Sequence, residues 1–169
     1  TTEEFNEFTE DGNAILDYFL DPTIRRKYFC KQRYTLTGIE TAVDLEVRKN
    51  VGMIGFLDVV LFDKATQKYK IIDLKTSTRG WHKWQKSDES KLHQLLLYKV
   101  CYAREFAVPL DRIEVEFVIL KRKHDPDDPW SGERIQRFIP PHGTMSSKAA
   151  WTSFSTFLNE SFTKSGEYN

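Results

Sequence analysis

The sequence predicts a mixed α/β domain, and three observations carry that expectation. Apolar residues recur at helical spacing near both ends of the chain and again after its middle. Between those stretches they alternate with polar residues at a period of two, the mark of half-buried strands. Clusters of Pro, Asp, Asn and Gly separate the two regimes. The element order is helix, sheet, helix, strand pair, helix, within a single domain over residues 1–169.

The opening helix runs from Glu4 to Leu20, with Phe5, Phe8, Ile15, Leu16 and Phe19 at mostly helical spacing and Pro22 as its stop. Strand character begins after Arg33: Ile39, Thr41, Val43, Leu45 and Val47 alternate with Glu40, Asp44 and Glu46. A turn at Lys49-Asn50 leads to a second strand, Met53 to Phe62, and a polar turn from Asp63 to Lys68 leads to a third, Tyr69 to Lys75. Short turns between consecutive strands predict an antiparallel meander. Thr76 to Asp88 is polar, basic and irregular. Ser87 or Asp88 then caps a helix carrying Lys91, Leu95, Tyr98 and Tyr102 on one face, and Pro109 closes it. Ile113, Val115, Phe117 and Ile119 form another alternating strand. A loop at Asp125-Pro126-Asp127-Asp128-Pro129 separates it from a short partner strand, Arg134 to Ile139, and Ser146 to Phe162 is a closing helix.

Composition narrows the function classes. The 169 residues are 40% hydrophobic and 14% aromatic, too apolar for a disordered chain. Twenty-five Lys and Arg balance 25 Asp and Glu, which argues against a purely electrostatic coat for nucleic acid. Cys30 and Cys101 are too few for a disulfide framework or a four-cysteine iron–sulfur cluster. Thr1 to Glu10 is polar and acidic, unlike a signal peptide, and no apolar run approaches the ~20 residues of a membrane span. These features predict an intracellular, cytoplasmic protein.

Two carboxylates stand where apolar residues belong. Asp58 lies inside Gly55-Phe56-Leu57-Asp58-Val59-Val60-Leu61, and Asp73 inside Lys70-Ile71-Ile72-Asp73-Leu74-Lys75. A carboxylate in such a strand is costly unless a cation or several donors compensate it. At period two, Asp73 and Lys75 share a face while Ile72 and Leu74 take the other. If the turn near Ala65 and Thr66 pairs the two strands, Asp58 and Asp73 come close enough to share a divalent cation. Lys75 is then close enough to steady transition-state charge, or to orient and help deprotonate a water. On the following helix, Gln94 and Tyr98 stand at i and i+4, on one face.

Taken in order, Gly55-Phe56-Leu57-Asp58, Asp73-Leu74-Lys75-Thr76-Ser77 and Gln94-Leu95-Leu96-Leu97-Tyr98 resemble the motifs of the RecB-type branch of the PD-(D/E)XK nucleases over roughly residues 10 to 122. In that family the motifs run G-x-x-D, D/E-x-K-T and Q-x-x-x-Y. The resemblance implies a restriction-endonuclease-like core, with a central mixed sheet of four to five strands flanked by helices. It implies one or two Mg²⁺ or Mn²⁺ ions held by Asp58, Asp73 and the backbone carbonyl of Leu74, with Lys75 serving catalysis and Gln94 and Tyr98 supporting the site or touching DNA. By the same resemblance the activity is a DNA exonuclease of processing, recombination or repair. The alternatives are a structure-specific endonuclease and an inactive nucleic-acid-binding or assembly module. Many relatives place a metal-binding histidine on a helix before the sheet, whereas this chain has none before His82. Three readings stay open: a divergent member, a further segment before Thr1, or Glu7, Glu10 or Glu40 in the histidine's place.

A basic, aromatic stretch follows the third strand. From Lys64 to Lys91 there are eight Lys or Arg against three acids, a surplus of five. Arg79, Trp81, Lys83 and Trp84 combine charge for phosphates with rings that stack on bases, which suits DNA of single-stranded character. The alternative is a solvated loop with one tryptophan tucked into the core. Lys121-Arg122-Lys123-His124, at the end of a strand, is a lesser version of the same pattern.

Overall fold

The computed structural model describes residues 1–128 and 130–169. Helices α1 (Thr2–Leu20) and α2 (Pro22–Tyr28) precede three strands, β1 (Tyr34–Arg48), β2 (Val51–Asp63) and β3 (Lys68–Ser77). A single turn, α3 (Lys83–Lys86), and the long helix α4 (Glu89–Glu105) lead to β4 (Ile113–Lys121), β5 (Ile135–Phe138) and α5 (Thr144–Ser161). The strands form one five-stranded sheet in the order β1-β2-β3-β4-β5. β1, β2 and β3 are an antiparallel meander, as the short turns predict, β3 and β4 are parallel, and β5 returns antiparallel on β4. The mixed α/β class and a mixed central sheet flanked by helices agree with a restriction-endonuclease-like core.

The helix boundaries follow from capping chemistry. Thr1 and Glu4 form a reciprocal box at the start of α1. Pro22 does end α1, yet it also begins α2, which the sequence reading missed. Asp21 accepts the amide N–H groups of Thr23 (2.6 Å) and Ile24 (3.3 Å), and proline at the first helical position has no N–H to leave unpaired. Asp88 is the N-cap of α4 and accepts the Ser90 amide at 3.1 Å. At the far end, Arg48 donates to the carbonyls of Leu158 (3.0 Å) and Phe162 (2.8 Å), so the β1–β2 end is tied to the last turn of α5.

The sheet has two unequal faces. Val43, Leu57, Val60, Ile71, Val115, Phe117 and Ile119 are buried beneath α4 and α5 with Leu95, Leu96, Tyr102 and Ala150. The opposite face has a smaller apolar cluster, Leu61, Ile72, Val118 and Ile135, packed against half-buried Tyr18, Phe19, Ile24, Tyr28 and Phe29 of α1, α2 and the turn after them. Among the described residues no helix is long and apolar enough to cross a membrane.

Candidate active site

The β2–β3 ladder ends at the Val59–Ile72 pair, and the next residue on each strand, outward from that pair, is a carboxylate: Asp58 on β2 and Asp73 on β3. The strands part here because β2 is distorted. Leu57 and Val60 both pack on the α4 side, whereas strict alternation would put them on opposite faces. On β1, Glu40 opposes this break in a left-handed conformation (φ 47°), costly for a residue with a Cβ. The break frees Asp58 from the ladder, and its carboxylate accepts the Leu74 amide N–H across the gap at 2.7 Å.

Asp73 and Lys75 lie on the α4 side of β3, level with Phe117 and Ile119 of β4, both fully buried. Asp73 is only 5% exposed. Its Oδ2 lies 2.7 Å from Lys75 Nζ, an ion pair, yet among the described residues no donor is aligned to hydrogen-bond that oxygen. Burial pushes the Asp73 carboxyl above its ordinary value, Lys75 pulls it back down, and the Asp58 charge adds to the rise. Two carboxylates, Asp58 and the buried Asp73, share the one Lys75 ammonium paired with Asp73, so their oxygens together still carry net negative charge. Hard oxygen donors of this kind suit Mg²⁺ or Mn²⁺, which bind one or two carboxylates and keep water in the remaining positions.

Tyr98 closes the site from α4. A Cβ placed on Gly55 would meet the Tyr98 ring at 2.7 Å, so the glycine three residues before Asp58 is what lets the ring lie on β2. Gln94, one turn earlier, donates to the Tyr98 hydroxyl at 3.1 Å. The glycine and tyrosine of the two motifs are thus one contact.

The residue types and the geometry agree with the comparison to known families. A model of the PD-(D/E)XK nuclease superfamily matches residues 3–156. The chain belongs to that superfamily. Its members are metal-dependent nucleases that typically use Mg²⁺ or Mn²⁺. No curated protein gives a significant match to the chain.

Three expectations need correction. Trp81 is 6% exposed, with its ring against Phe117 (5.0 Å) and Phe138 (6.5 Å), so it is a core residue and has no face left for a base. Its backbone is clamped as well: Trp81 N–H donates to Gln136 Oε1 (2.6 Å) and Gln136 Nε2 donates to the Trp81 carbonyl (3.1 Å). Sequence reasoning missed Gln136, since one amide in a four-residue strand carries no signal. Secondly, Glu7, Glu10 and Glu40 do not complete a metal cluster. Among the described residues no three His, Cys, Asp or Glu side chains gather as metal ligands. Glu7 instead pairs with Lys123 at 2.8 Å. Thirdly, the stretch after β3 is not wholly irregular, since α3 forms within it.

Arg79, Lys83 and Trp84 are exposed. Arg79 lines a cleft of about 830 Å³ together with Lys121, Arg122, Lys123 and Arg134. The two basic stretches singled out in the sequence therefore meet, at the C-terminal ends of β3 and β4.

Proposed function

We propose that this chain is a divalent-metal-dependent deoxyribonuclease of the RecB-type branch, acting as an exonuclease on DNA with single-stranded character. The observation that supports it best is the fork between β2 and β3, which sets Asp58 and the buried, donor-poor Asp73 side by side with Lys75. Asp58, Asp73 and the Leu74 carbonyl would hold one or two Mg²⁺ or Mn²⁺ ions, which supply charge to the scissile phosphate and lower the pKa of a bound water. Asp58 keeps the strands registered through its bond to the Leu74 amide. Lys75 aims an ammonium at the negative charge that develops as water attacks phosphorus through its oxygen and gives its proton to solvent. The phosphorus–oxygen bond to the leaving sugar then breaks, and that oxygen takes a proton from solvent. Gln94 and Tyr98 border the site, while Arg79, Lys83 and Trp84 offer charge and a ring to the flanking DNA.

Single-turnover cleavage of a short DNA at saturating Mn²⁺ tests the reading. Asp58→Ala and Asp73→Ala abolish cleavage while the fold survives. Lys75→Ala lowers the rate about a hundred- to a thousandfold with DNA affinity little changed, because the ammonium acts on the transition state. Undiminished activity in either aspartate variant removes the site assignment.

One observation favours a second reading, an inactive nucleic-acid-binding or assembly module that acts with a protein partner: no third metal ligand gathers beside the carboxylates among the described residues. Calorimetric titration with Mn²⁺ separates the two, since the nuclease binds it through Asp58 and Asp73. A covalently closed circular DNA separates exonuclease from endonuclease.

A further inference from the structure

α1 contains a glycine that neither the backbone nor the packing requires. Gly12 lies within the helix, where glycine is a poor helix former. A Cβ built there meets nothing within 4 Å. Gly55 shows the contrast, with the Tyr98 ring at 2.7 Å. The space beside Gly12 is a cleft of about 570 Å³ between α1 and the end of β3, within the usual ~300–1,000 Å³ of ligand sites.

The walls of this cleft are of three kinds. α1 contributes the Phe8 ring, 56% exposed, and Ile15. The segment directly after Lys75 contributes Thr76, Ser77 and Thr78. Arg122 forms the floor, its guanidinium 4.5 Å from the Phe8 ring centroid, donating to Thr78 Oγ1 at 3.0 Å and lying 3.4 Å from Asp11. An exposed ring, a guanidinium fixed at its base and a row of hydroxyls match the base, phosphate and sugar of a nucleotide.

We propose that this cleft is a subsite for one unpaired nucleotide of the bound strand, with its base on Phe8 and its phosphate toward Arg122. The proposal rests on the nuclease reading above and gives its single-stranded substrate a place on the protein: the base is taken between α1 and β3. Asp73 and Lys75 face α4, whereas the cleft opens on the α1 side. Thr76, Ser77 and Thr78 directly follow Lys75, so a strand that reaches both faces passes the end of β3 beyond Leu74, whose amide Asp58 already holds.

Gly12→Leu gives a test in which stability and binding move in opposite directions. Leucine is a better helix former, so the melting temperature stays at or above the parent's. Its side chain fills the cleft, so affinity for a fluorescein-labelled oligothymidylate of about twelve nucleotides, within the usual ~4–16 per site, falls at least tenfold by anisotropy. Phe8→Ala, at an exposed position, weakens the same probe roughly fivefold or more, as loss of one stacked base does. Binding is read in EDTA and cleavage is read separately with Mn²⁺. A chain that binds but does not cut ends the nuclease reading and leaves the subsite. A chain that cuts while Gly12→Leu binds like the parent ends the subsite alone. Parent binding to blunt duplex as tight as to the single strand also overturns it.

Discussion

α4 and α1 cover opposite faces of the same sheet in different ways. α4 buries Leu95, Leu96, Lys99, Val100, Cys101 and Tyr102, and the face beneath it is filled by Phe117, Ile71, Val115 and Trp81. α1 buries only Asp11 and Ile15 and leaves Phe5, Phe8, Leu16 and Leu20 exposed. Charge does much of the holding on the α1 side: Asp11 with Arg122 and Lys123, Glu133 with Lys27 and Tyr28, and Arg137 with Glu116. The contrast separates two tasks. The apolar face fixes the strands that carry Asp73 and Lys75 to the precision that metal chemistry needs. The charged face leaves a cleft and a helix that the substrate can reach.

The largest effects are expected where buried rings of the α4 face are removed, with an exposed ring of the neighbouring loop as the control. Phe117→Ala should cost about 3–5 kcal/mol, the usual loss for a buried ring whose cavity cannot collapse. Trp81→Ala should fall in the same range, whereas Trp84→Ala, at a residue 70% exposed, should stay within about 0.5 kcal/mol. Urea unfolding of the three variants measures all of these. Equal costs for the two tryptophans would mean that the α4 face does not hold the loop after β3.

Those two tryptophans also mark where the sequence stops being legible. β2 and β3 show in the sequence because their middles are almost wholly apolar, and the interrupting Asp58 and Asp73 stand out against that background. Nothing local distinguishes Trp81 from Trp84. Their fates differ because Gln136, far along the chain on β5, clamps one backbone and not the other. The β3–β4 pairing is hidden for the same reason, since parallel strands meet only across an intervening helix. α2 was lost to a rule applied one way, since Pro22 both stops a helix and starts one. The fork that joins Asp58 to Leu74 lies opposite Glu40, and no residue type there announces a left-handed backbone.

A smaller effect is expected at Gly55, which belongs to the apolar face and to the site together. Gly55→Ala drives a methyl into the Tyr98 ring and should cost about 1–3 kcal/mol, the range for overpacking. If the ring holds the site in shape, cleavage falls further than stability does. Tyr98→Ala in the same background should restore stability without restoring the rate. Recovery of both would show that the ring only occupies space.

On the charged side, the hydrogen bond from Arg33 holds the Asp63 carboxyl down at about 2, against an ordinary 3.8. A depressed carboxylate contributes stability that is complete above its ordinary value and is lost as pH falls toward the depressed one. The loss therefore lies between about pH 4 and pH 2. Arg33→Gln should flatten the dependence of melting temperature on pH in that window and cost about 1 kcal/mol at neutral pH, since the arginine is half exposed. An unchanged slope would place the acid sensitivity elsewhere.

The smallest effect tests whether charge fastens α1 at all. Asp11 is buried, 3.4 Å from Arg122 and 3.1 Å from Lys123, and Lys123 reaches back to Glu7. Both cations are at least partly in solvent, so the network holds α1 more weakly than a buried pair would. Asp11→Asn keeps the shape and removes the charge. Global stability should then drop by no more than ~1 kcal/mol. Hydrogen exchange of the α1 amides should rise clearly while that of α4 stays fixed, because local opening of α1 is opposed by few apolar contacts. Raising the salt concentration should reproduce the α1 effect in the parent and add little in Asp11→Asn, since screening and substitution remove the same attraction. Exchange that rises equally in both helices would show that the two faces unfold as one unit, and the division of labour between them would be lost.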